Sequence, residues 1–501
     1  MPLLLAGLPD EILSMILVSS TIMASSPASH RRSLMLVSQR MRSVLCSTAC
    51  LWEDIPSTVP LPSYPIYLER AKRRAITLTL SLSSDQDLDL TIKKVEAVGD
   101  RLARLTVVGP STTMLELLAQ ITPLSPNLLS FALMKDDDDA AIVTPLPTRP
   151  FRRDFLRNCS SLQELTIRNG GYLHARFHAP FSLRALTVLH VPNLNALMHT
   201  LSSTPSLRHL TFESKNAFCP TSLKTVSLPR LETLDASVLS GGIAEKFFRS
   251  LSLPVSTRLS VTIRVTAAGL SGLDNDLHAV TAHAKGVLSE RLVSLKASAD
   301  GRYFERDAVS ICCYTSSRAR SNVSSHHWDG SSHAQISIYL KWEHPWPLQR
   351  EEAFERIMQA LPTEHIDEVA LCTTGPPLRM YDQEFYYPHG VRTVMAHLSH
   401  VSTVAISSQV LDEIIFSVVS PQLRRLSRII AIASQWRAMD AQYPKLLGSL
   451  FSERRDEGLG EVMIELREGE NVYEGQVIDH RDSSSYKPRE PSEPVDVLAS
   501  S

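Results

Sequence analysis

A motif of three aliphatic residues, written L-x-x-L-x-L, recurs in the first half of the chain and constrains its fold more than any other feature. Six copies begin at Leu102, Leu128, Leu162, Leu183, Leu207 and Leu231. Alternate residues of a β-strand lie on one face, so the last two aliphatic positions of each copy face inward together. One unit of this size cannot bury that face alone. Consecutive units must therefore stack on one another.

The spacing of the motifs indicates the kind of repeat. Successive copies are 26, 34, 21, 24 and 24 residues apart, and most of these intervals fall within the roughly 20–29 residues of leucine-rich repeats. The longest interval holds an acidic run at 136–139 and a proline-rich run at 145–150. Amphipathic stretches at 113–121 and 193–201 indicate return helices. The sequence predicts an α/β fold in which a curved leucine-rich-repeat solenoid with parallel strands spans residues 76–480.

The register of the repeats stays open in two places. A competing motif begins at Leu223, only eight residues before Leu231, and both cannot start a repeat. After about residue 265 the pattern degenerates, with further matches at Ile366, Val401 and Leu459. We predict a second stretch of irregular repeats there.

Residues between the buried leucines line the concave side of such a sheet. Arg168, Thr187, Glu213 and Asp235 lie at such positions and combine charges with a hydroxyl group. We predict that they bind a protein substrate. The alternative is that they only solvate the sheet.

The first 55 residues predict a separate helical module. Pro9 stands at the start of its first helix, where its missing N–H costs nothing. A second amphipathic stretch runs from 30 to about 45. Residues 56–75 indicate a proline-rich linker followed by a helix at 67–74, and residues 481–501 indicate a disordered tail. The apolar positions of the first helix recur at helical spacing: Leu8, Ile12, Leu13, Ile16 and Leu17.

Three blocks within this module carry a resemblance to a known family. They are Leu8-Pro9-Asp10-Glu11-Ile12-Leu13, Leu36-Val37-Ser38-Gln39-Arg40-Met41 and Leu51-Trp52-Glu53-Asp54-Ile55. In order and spacing the blocks resemble an F-box, and the layout that follows is similar to the large F-box families of mushroom-forming fungi. The resemblance covers about 50 residues, roughly a tenth of the chain.

The resemblance implies a function for the whole chain. In that family the helical module packs on a Skp-type adaptor joined to a cullin scaffold, and the rest of the chain presents a protein substrate for ubiquitin transfer. Two alternatives stay open: helices that only cap the repeats, and a repeat scaffold with no ligase attached. The implied adaptor-binding residues are Leu8, Pro9, Ile12, Leu13, Ile16, Leu36, Val37, Leu51 and Trp52.

Charge and motifs disfavour catalysis and nucleic-acid binding. A formal net charge of −2 provides no basic field for nucleic acid or an anionic membrane. The phosphate-loop, zinc-protease and serine-hydrolase motifs do not occur in the sequence. The histidines at 326, 327 and 333, near Asp329, are expected to lie in a solvated loop. We predict a non-catalytic adaptor that uses no cofactor and no metal.

The number and spacing of the cysteines indicate the cellular compartment in which the chain works. The chain has seven cysteines, an odd number with no CxxC pair, which favours a reducing environment. No apolar run approaches the ~20 residues of a membrane-spanning helix. We therefore expect a cytoplasmic or nuclear protein. The two close cysteine pairs, Cys46 with Cys50 and Cys312 with Cys313, are expected to be buried thiols.

Overall fold

The fold was obtained as a computed structural model. Two compact units divide the chain: Met1–Arg264 with His278–His283, and Val265–Leu277 with Ala284–Ser501. The predicted boundary at residue 55 thus falls inside the first unit. The insertion at 136–150, the histidine-containing loop at 316–332 and the tail at 481–501 lie outside the described residues. The structure describes residues 7–23, 27–83, 88–121, 124–135, 156, 159–168, 180–214, 219, 222–240, 242–265, 272–288, 294–300, 308–315, 334–342, 347–374, 393–407, 423–433, 452, 454–468 and 476–478.

Three helices form the N-terminal module: α1, Asp10–Ile22; α2, Pro27–Val37; and α3, Gln39–Ser47. The stretch predicted over 30–45 is thus two helices and begins earlier, at a proline that suits a first helical turn. The chain breaks at Ser38, which is extended, and its hydroxyl accepts a hydrogen bond from the Met41 N–H at 3.1 Å. This cap satisfies a backbone donor at the start of α3.

The module continues directly into a β-sheet. A two-residue strand, β1, Asp54–Ile55, pairs in parallel with β2, Ile76–Ser81. Between them lies α4, Tyr64–Arg70, which begins and ends earlier than the helix predicted at 67–74. The helices therefore stand at the first edge of the sheet, as a cap would.

The first unit contains eleven strands among the described residues, all paired in parallel. Nine of them pair in chain order within one sheet, and the other two pair only with each other. The returning helices are α5, Leu88–Val98; α6, Ser111–Gln120; α7, Leu194–Ser202; and α8, Ile243–Arg249. The further strands are β3, Leu102–Gly109; β4, Ser130–Lys135; β5, Glu164–Ile167; β6, Ala185–Val188; β7, His209–Glu213; β8, Val226–Ser227; β9, Thr233–Ser240; β10, Leu251–Ser252; and β11, Arg258–Val265.

The aliphatic positions of consecutive repeats stand in one register, and all of them are buried. This stacking buries a face that no single repeat could bury, and the predicted repeats from Leu102 to Leu231 are confirmed. The middle positions are Leu78, Leu105, Phe131, Leu165, Leu186, Leu210, Leu234 and Leu259. The last positions are Leu80, Val107, Leu133, Ile167, Val188, Phe212, Ala236 and Val261.

Strand pairing decides the register that the sequence left open. Val226, from the motif that begins at Leu223, lies in β8 outside the main sheet. Leu234 stands in the leucine row opposite Leu210. The repeat therefore begins at Leu231.

The second unit has a sheet with both strand orientations. Five of its described strands pair in parallel, and their middle positions align as Leu295, Val369, Val404, Ile429 and Ile464. The helices are α9, Leu273–Leu288, which contributes residues to both units, and α10, Pro347–Ala360. The strands are β12, Ser294–Asp300; β13, Ala308–Tyr314; β14, Ile336–Trp342; β15, Glu368–Thr374; β16, Thr403–Ser407; β17, Arg428–Ala433; β18, Met463–Glu468; and β19, Gln476–Ile478.

Antiparallel strands correct the expectation of a parallel sheet throughout. β13 runs antiparallel to both β12 and β14, and β19 runs antiparallel to β18. Only seven residues separate Asp300 from Ala308, whereas a parallel crossover needs about a dozen or more. The short connection therefore forces the chain to turn back.

Pairing also corrects the final repeat. Ile464 stands opposite Ile429 and so holds a middle position, whereas the motif beginning at Leu459 places it last. The structure adds a repeat that begins at Leu426 and ends its motif at Ala431.

Candidate interaction surfaces

Five large apolar side chains of α1 and α2 are exposed to solvent. Ile12, Met15 and Ile16 are three and four residues apart, which places them on one face of α1. Leu36 and Val37 end α2. In chain order these side chains are 44%, 66%, 42%, 75% and 66% exposed. These five residues are named the apolar patch, and an exposed apolar group of this kind is a candidate interaction site.

One side chain joins the two parts of the apolar patch. The Arg40 guanidinium pairs with the Asp10 carboxylate at 2.7 Å and also donates to the carbonyl of Leu8. Because Arg40 follows α2 by three residues, this contact holds Leu36 and Val37 near the start of α1. An exposed ion pair adds little to stability, so its effect here is mainly on geometry.

The structure separates the nine predicted adaptor-binding residues into two groups. Pro9 is exposed and Leu8 is half-buried at the start of α1, and four others belong to the apolar patch: Ile12, Ile16, Leu36 and Val37. Leu13, Leu51 and Trp52 are buried within this chain. Adaptor binding by the nine residues stays a prediction, and burial leaves these three side chains little surface for a partner.

Sequence reasoning missed Met15. Its position three residues after Ile12 and one before Ile16 is the available signal, since it completes an apolar stripe on the outer face of α1. The stripe that includes Leu13 and Leu17 lies on the inner face, where both side chains are buried.

Trp52 connects the helical module to the repeats. The guanidinium carbons of Arg31 and Arg70 lie 5.4 and 4.4 Å from its ring centroid, a geometry that favours cation–π attraction. The Tyr67 ring meets the indole edge-on at 5.0 Å. Arg31, itself buried, also donates to the Asp54 carbonyl of β1 at 3.5 Å. Side chains of α2 and α4 therefore meet at this indole, beside the first strand.

The face of the first sheet opposite the buried leucines is here named the open face. It carries a row of small residues, one from each repeat, between the middle and last aliphatic positions. Most members are half-buried hydroxyl side chains, and one of the eight is ionisable. In strand order the row is Thr79, Thr106, Ala132, Thr166, Thr187, Thr211, Asp235 and Ser260.

All four predicted substrate-binding residues lie half-buried on the open face or at its border. Thr187 and Asp235 belong to the hydroxyl row. Glu213 stands one position further along β7, opposite Ser237. Arg168 follows the last residue of β5, where its N–H donates to the Leu133 carbonyl at 2.9 Å. Substrate binding by these residues stays a prediction.

Asp235 has the most perturbed environment of the four. Burial raises the pKa of its carboxyl above the ordinary value, and a hydrogen bond donated by Ser260 lowers this pKa in part. The net rise means that the folded chain holds this carboxylate less favourably than water does.

Asp235→Asn is expected to raise the melting temperature at pH 7 by roughly 1–3 °C. A carboxyl group whose pKa is higher in the folded than in the unfolded chain favours folding when it is protonated. This contribution to stability is complete below pH 3.8, the pKa in the unfolded chain, and is lost as the pH rises through the folded-state pKa. The neutral amide avoids that loss. The advantage of the variant should therefore shrink between pH 7 and about pH 4, and a melting series in which it grows towards acid would contradict the assignment.

Three of the six cysteines whose surroundings the structure describes are buried. These are Cys159, Cys312 and Cys313, as expected for the last two, and burial raises the pKa of Cys159 to about 11. Cys46 and Cys50 are only half-buried, which corrects the expectation for that pair. Within the described ranges no group of three or more His, Cys, Asp or Glu residues could hold a metal ion. None of the described helices combines the length and apolarity that crossing a bilayer requires.

Comparison with known proteins finds matches among solved structures alone. No protein-family model matches the sequence, and a search of curated proteins finds no match. Among solved structures, the leucine-rich repeat-containing protein LegL7 from Legionella pneumophila aligns with 82% of this chain and 99% of its own, at 12% identity and a TM-score of 0.29. The assignment of repeats rests instead on the strand registers and the buried aliphatic rows.

Proposed function

We propose that the chain is a substrate-recognition adaptor of a Skp–cullin–F-box ubiquitin ligase. The apolar patch would dock a Skp-type adaptor, and the open face would bind a protein substrate. The observation that carries the proposal is the exposure of Ile12, Ile16, Leu36 and Val37, because these patch residues belong to the sequence blocks that resemble an F-box.

The energetics of the apolar patch support docking. Large aliphatic side chains on neighbouring helices are the usual anchors of helix-mediated interfaces. Removing each of them from water contributes about 1.5–3 kcal/mol. The module keeps its shape through its own core, formed by Leu13, Leu45 and Trp52 among others, so that little ordering is required on binding.

A second function is favoured by the pairing of β1 with β2. That pairing makes the module part of the first sheet, as a cap for the repeats would be. Capping accounts for the inner face of the helices and leaves the apolar patch without a role. A scaffold that uses its repeats alone, without a ligase, is therefore the alternative.

The double substitution Ile12→Ala, Leu36→Ala is expected to weaken capture of a Skp-type adaptor by about 100-fold or more, since interface anchors typically contribute ~2 kcal/mol each. Affinity is measured with the full chain and a purified adaptor. The matched control is Val255→Ala, which shortens an aliphatic side chain that is likewise exposed but lies outside the module. Equal binding by the double variant, or no capture by the unaltered chain, would favour the scaffold.

A further inference from the structure

Asp235 breaks the pattern of the hydroxyl row. The other repeats of the first unit all have threonine, serine or alanine at this place. Three residues from each of the neighbouring strands β7, β9 and β11 form an array centred on Asp235, and its pairing is regular except at Thr262, where β11 shifts register against β9. The rows of the array are His209, Thr211 and Glu213; Thr233, Asp235 and Ser237; and Arg258, Ser260 and Thr262.

The four nearest open-face neighbours of Asp235 all carry hydroxyl groups. Thr211 and Ser260 stand on the adjacent strands, about 4.8 Å away across the sheet. Thr233 and Ser237 stand two residues away on the same strand, about 6.6 Å along it. Ser260 donates a hydrogen bond to the carboxylate. Asp235 is therefore ringed by short polar side chains.

Longer side chains occupy three corners of the array. The His209 ring lies against the ring of hydroxyls, with Nδ1 2.9 Å from the Thr233 Oγ1. Glu213 and Arg258 stand at two further corners, and Arg258 is exposed. Because short side chains surround the carboxylate and longer ones stand at three corners, we infer a shallow polar depression with the carboxylate at its floor.

This carboxylate has no counter-ion in the part of the chain that the structure describes. The ion pairs found there join other residues, of which Arg208 with Glu232 at 3.2 Å is the nearest in sequence. A half-buried charge without a partner costs stability, and threonine suits a strand position better than aspartate. Such a cost at an interaction surface is offset when an external cation binds.

We propose that this depression binds the ammonium or guanidinium group of a lysine or arginine side chain of a protein substrate. The inference rests on the proposed substrate-binding role of the open face. Asp235 supplies the charge, and the surrounding hydroxyl oxygens accept the N–H groups that the carboxylate leaves unpaired. A neutral or acidic side chain would cover the carboxylate without pairing it, and so would be rejected.

The test uses the full chain and three pentapeptides, acetyl-Gly-Gly-X-Gly-Gly-amide, in which X is arginine, lysine or citrulline. Citrulline has the shape of arginine without its charge. Binding is followed by NMR shifts up to about 10 mM peptide. The arginine or lysine peptide should bind saturably and about tenfold more tightly than the citrulline peptide. Asp235→Asn should reduce the binding of the basic peptide about tenfold and leave that of citrulline unchanged.

A second variant controls for general loss of negative charge. Glu164→Gln removes an exposed carboxylate from β5 on the same face, two strands away from the array, and should leave peptide binding unchanged. The proposal is overturned if the Asn variant binds the basic peptides as tightly as the unaltered chain. It is equally overturned if citrulline matches arginine and lysine, or if no basic peptide binds.

The adaptor experiment is a separate measurement. Asp235→Asn should capture a Skp-type adaptor as well as the unaltered chain does, because the apolar patch is remote from β9 in sequence and structure. If the unaltered chain captures no adaptor yet binds basic peptides through Asp235, the ligase role fails and the depression stands. If the unaltered chain captures an adaptor but does not bind basic peptides through Asp235, the ligase role stands and the proposed cation-binding depression is wrong.

Discussion

Replacing Leu186 with aspartate is expected to destabilise the first unit by about 5 kcal/mol or more. Leu186 is fully buried between Leu165 and Leu210 in the middle aliphatic row. The substitution removes most of an aliphatic side chain and places an unpaired carboxylate in the core. A whole domain is stable by only about 5–15 kcal/mol, so most molecules should lose the fold of this unit near room temperature.

Thr187→Asp is the matched control, because it introduces the same side chain one residue further along β6. Thr187 lies half-buried in the hydroxyl row, between Thr166 and Thr211. The aspartate can keep contact with water there, and its effect should stay within about 1 kcal/mol. Urea unfolding of both variants, followed by circular dichroism, makes the comparison. Equal damage by the two substitutions, or tolerance of Leu186→Asp, would show that the assigned register is wrong.

Trp52→Ala is expected to destabilise the N-terminal module by about 3–5 kcal/mol. The indole is 3% exposed, and its N–H donates to the Leu45 carbonyl at 2.8 Å. Its loss leaves a cavity at the place where α2 meets α4, and it removes the ring face that Arg31 and Arg70 contact. The contacts with the ring offset part of the free-energy cost of removing the two guanidinium groups from water, and that offset would be lost.

Trp52→Phe separates packing from hydrogen bonding. The smaller ring keeps an aromatic face for the two arginines but loses the donor to Leu45, for a cost of about 1–3 kcal/mol. Hydrogen exchange of the α1 and α3 amides reports the module directly. Protection that falls strongly in Trp52→Ala and moderately in Trp52→Phe is the expected order. Unchanged protection in Trp52→Ala would contradict the assignment of this residue to the core.

How far the sequence predicts the structure depends on how local the signal is. The aliphatic motifs predicted both the strands and their register, because inward positions such as Leu165 and Leu186 must meet across neighbouring repeats. The antiparallel pairing of β13 with β12 follows from a short connection, whose length a search for periodic aliphatic residues does not consider. The helix break at Ser38 depends on a cap that competes with helix continuation over a single residue.

The candidate surfaces show a different limit. Sequence spacing identifies the apolar residues of α1 but does not say which of two apolar stripes faces outward, since Leu13 and Ile16 both fit a helical pattern. Only the packing of α1 on its neighbours separates them. The array around Asp235 depends on pairing between β7, β9 and β11, which joins residues about 25 positions apart. No local pattern contains that information.

The two-residue strand β1 has a consequence for protein production. It pairs with β2, whose Ile76–Ser81 backbone would otherwise form the open end of a stack of parallel strands. An uncovered strand of alternating aliphatic residues is a template for intermolecular pairing and aggregation. Cutting the chain just before residue 76, to isolate the repeats, would uncover that template. Soluble expression of the repeats thus depends on keeping residues 54–55 and the helices that precede them.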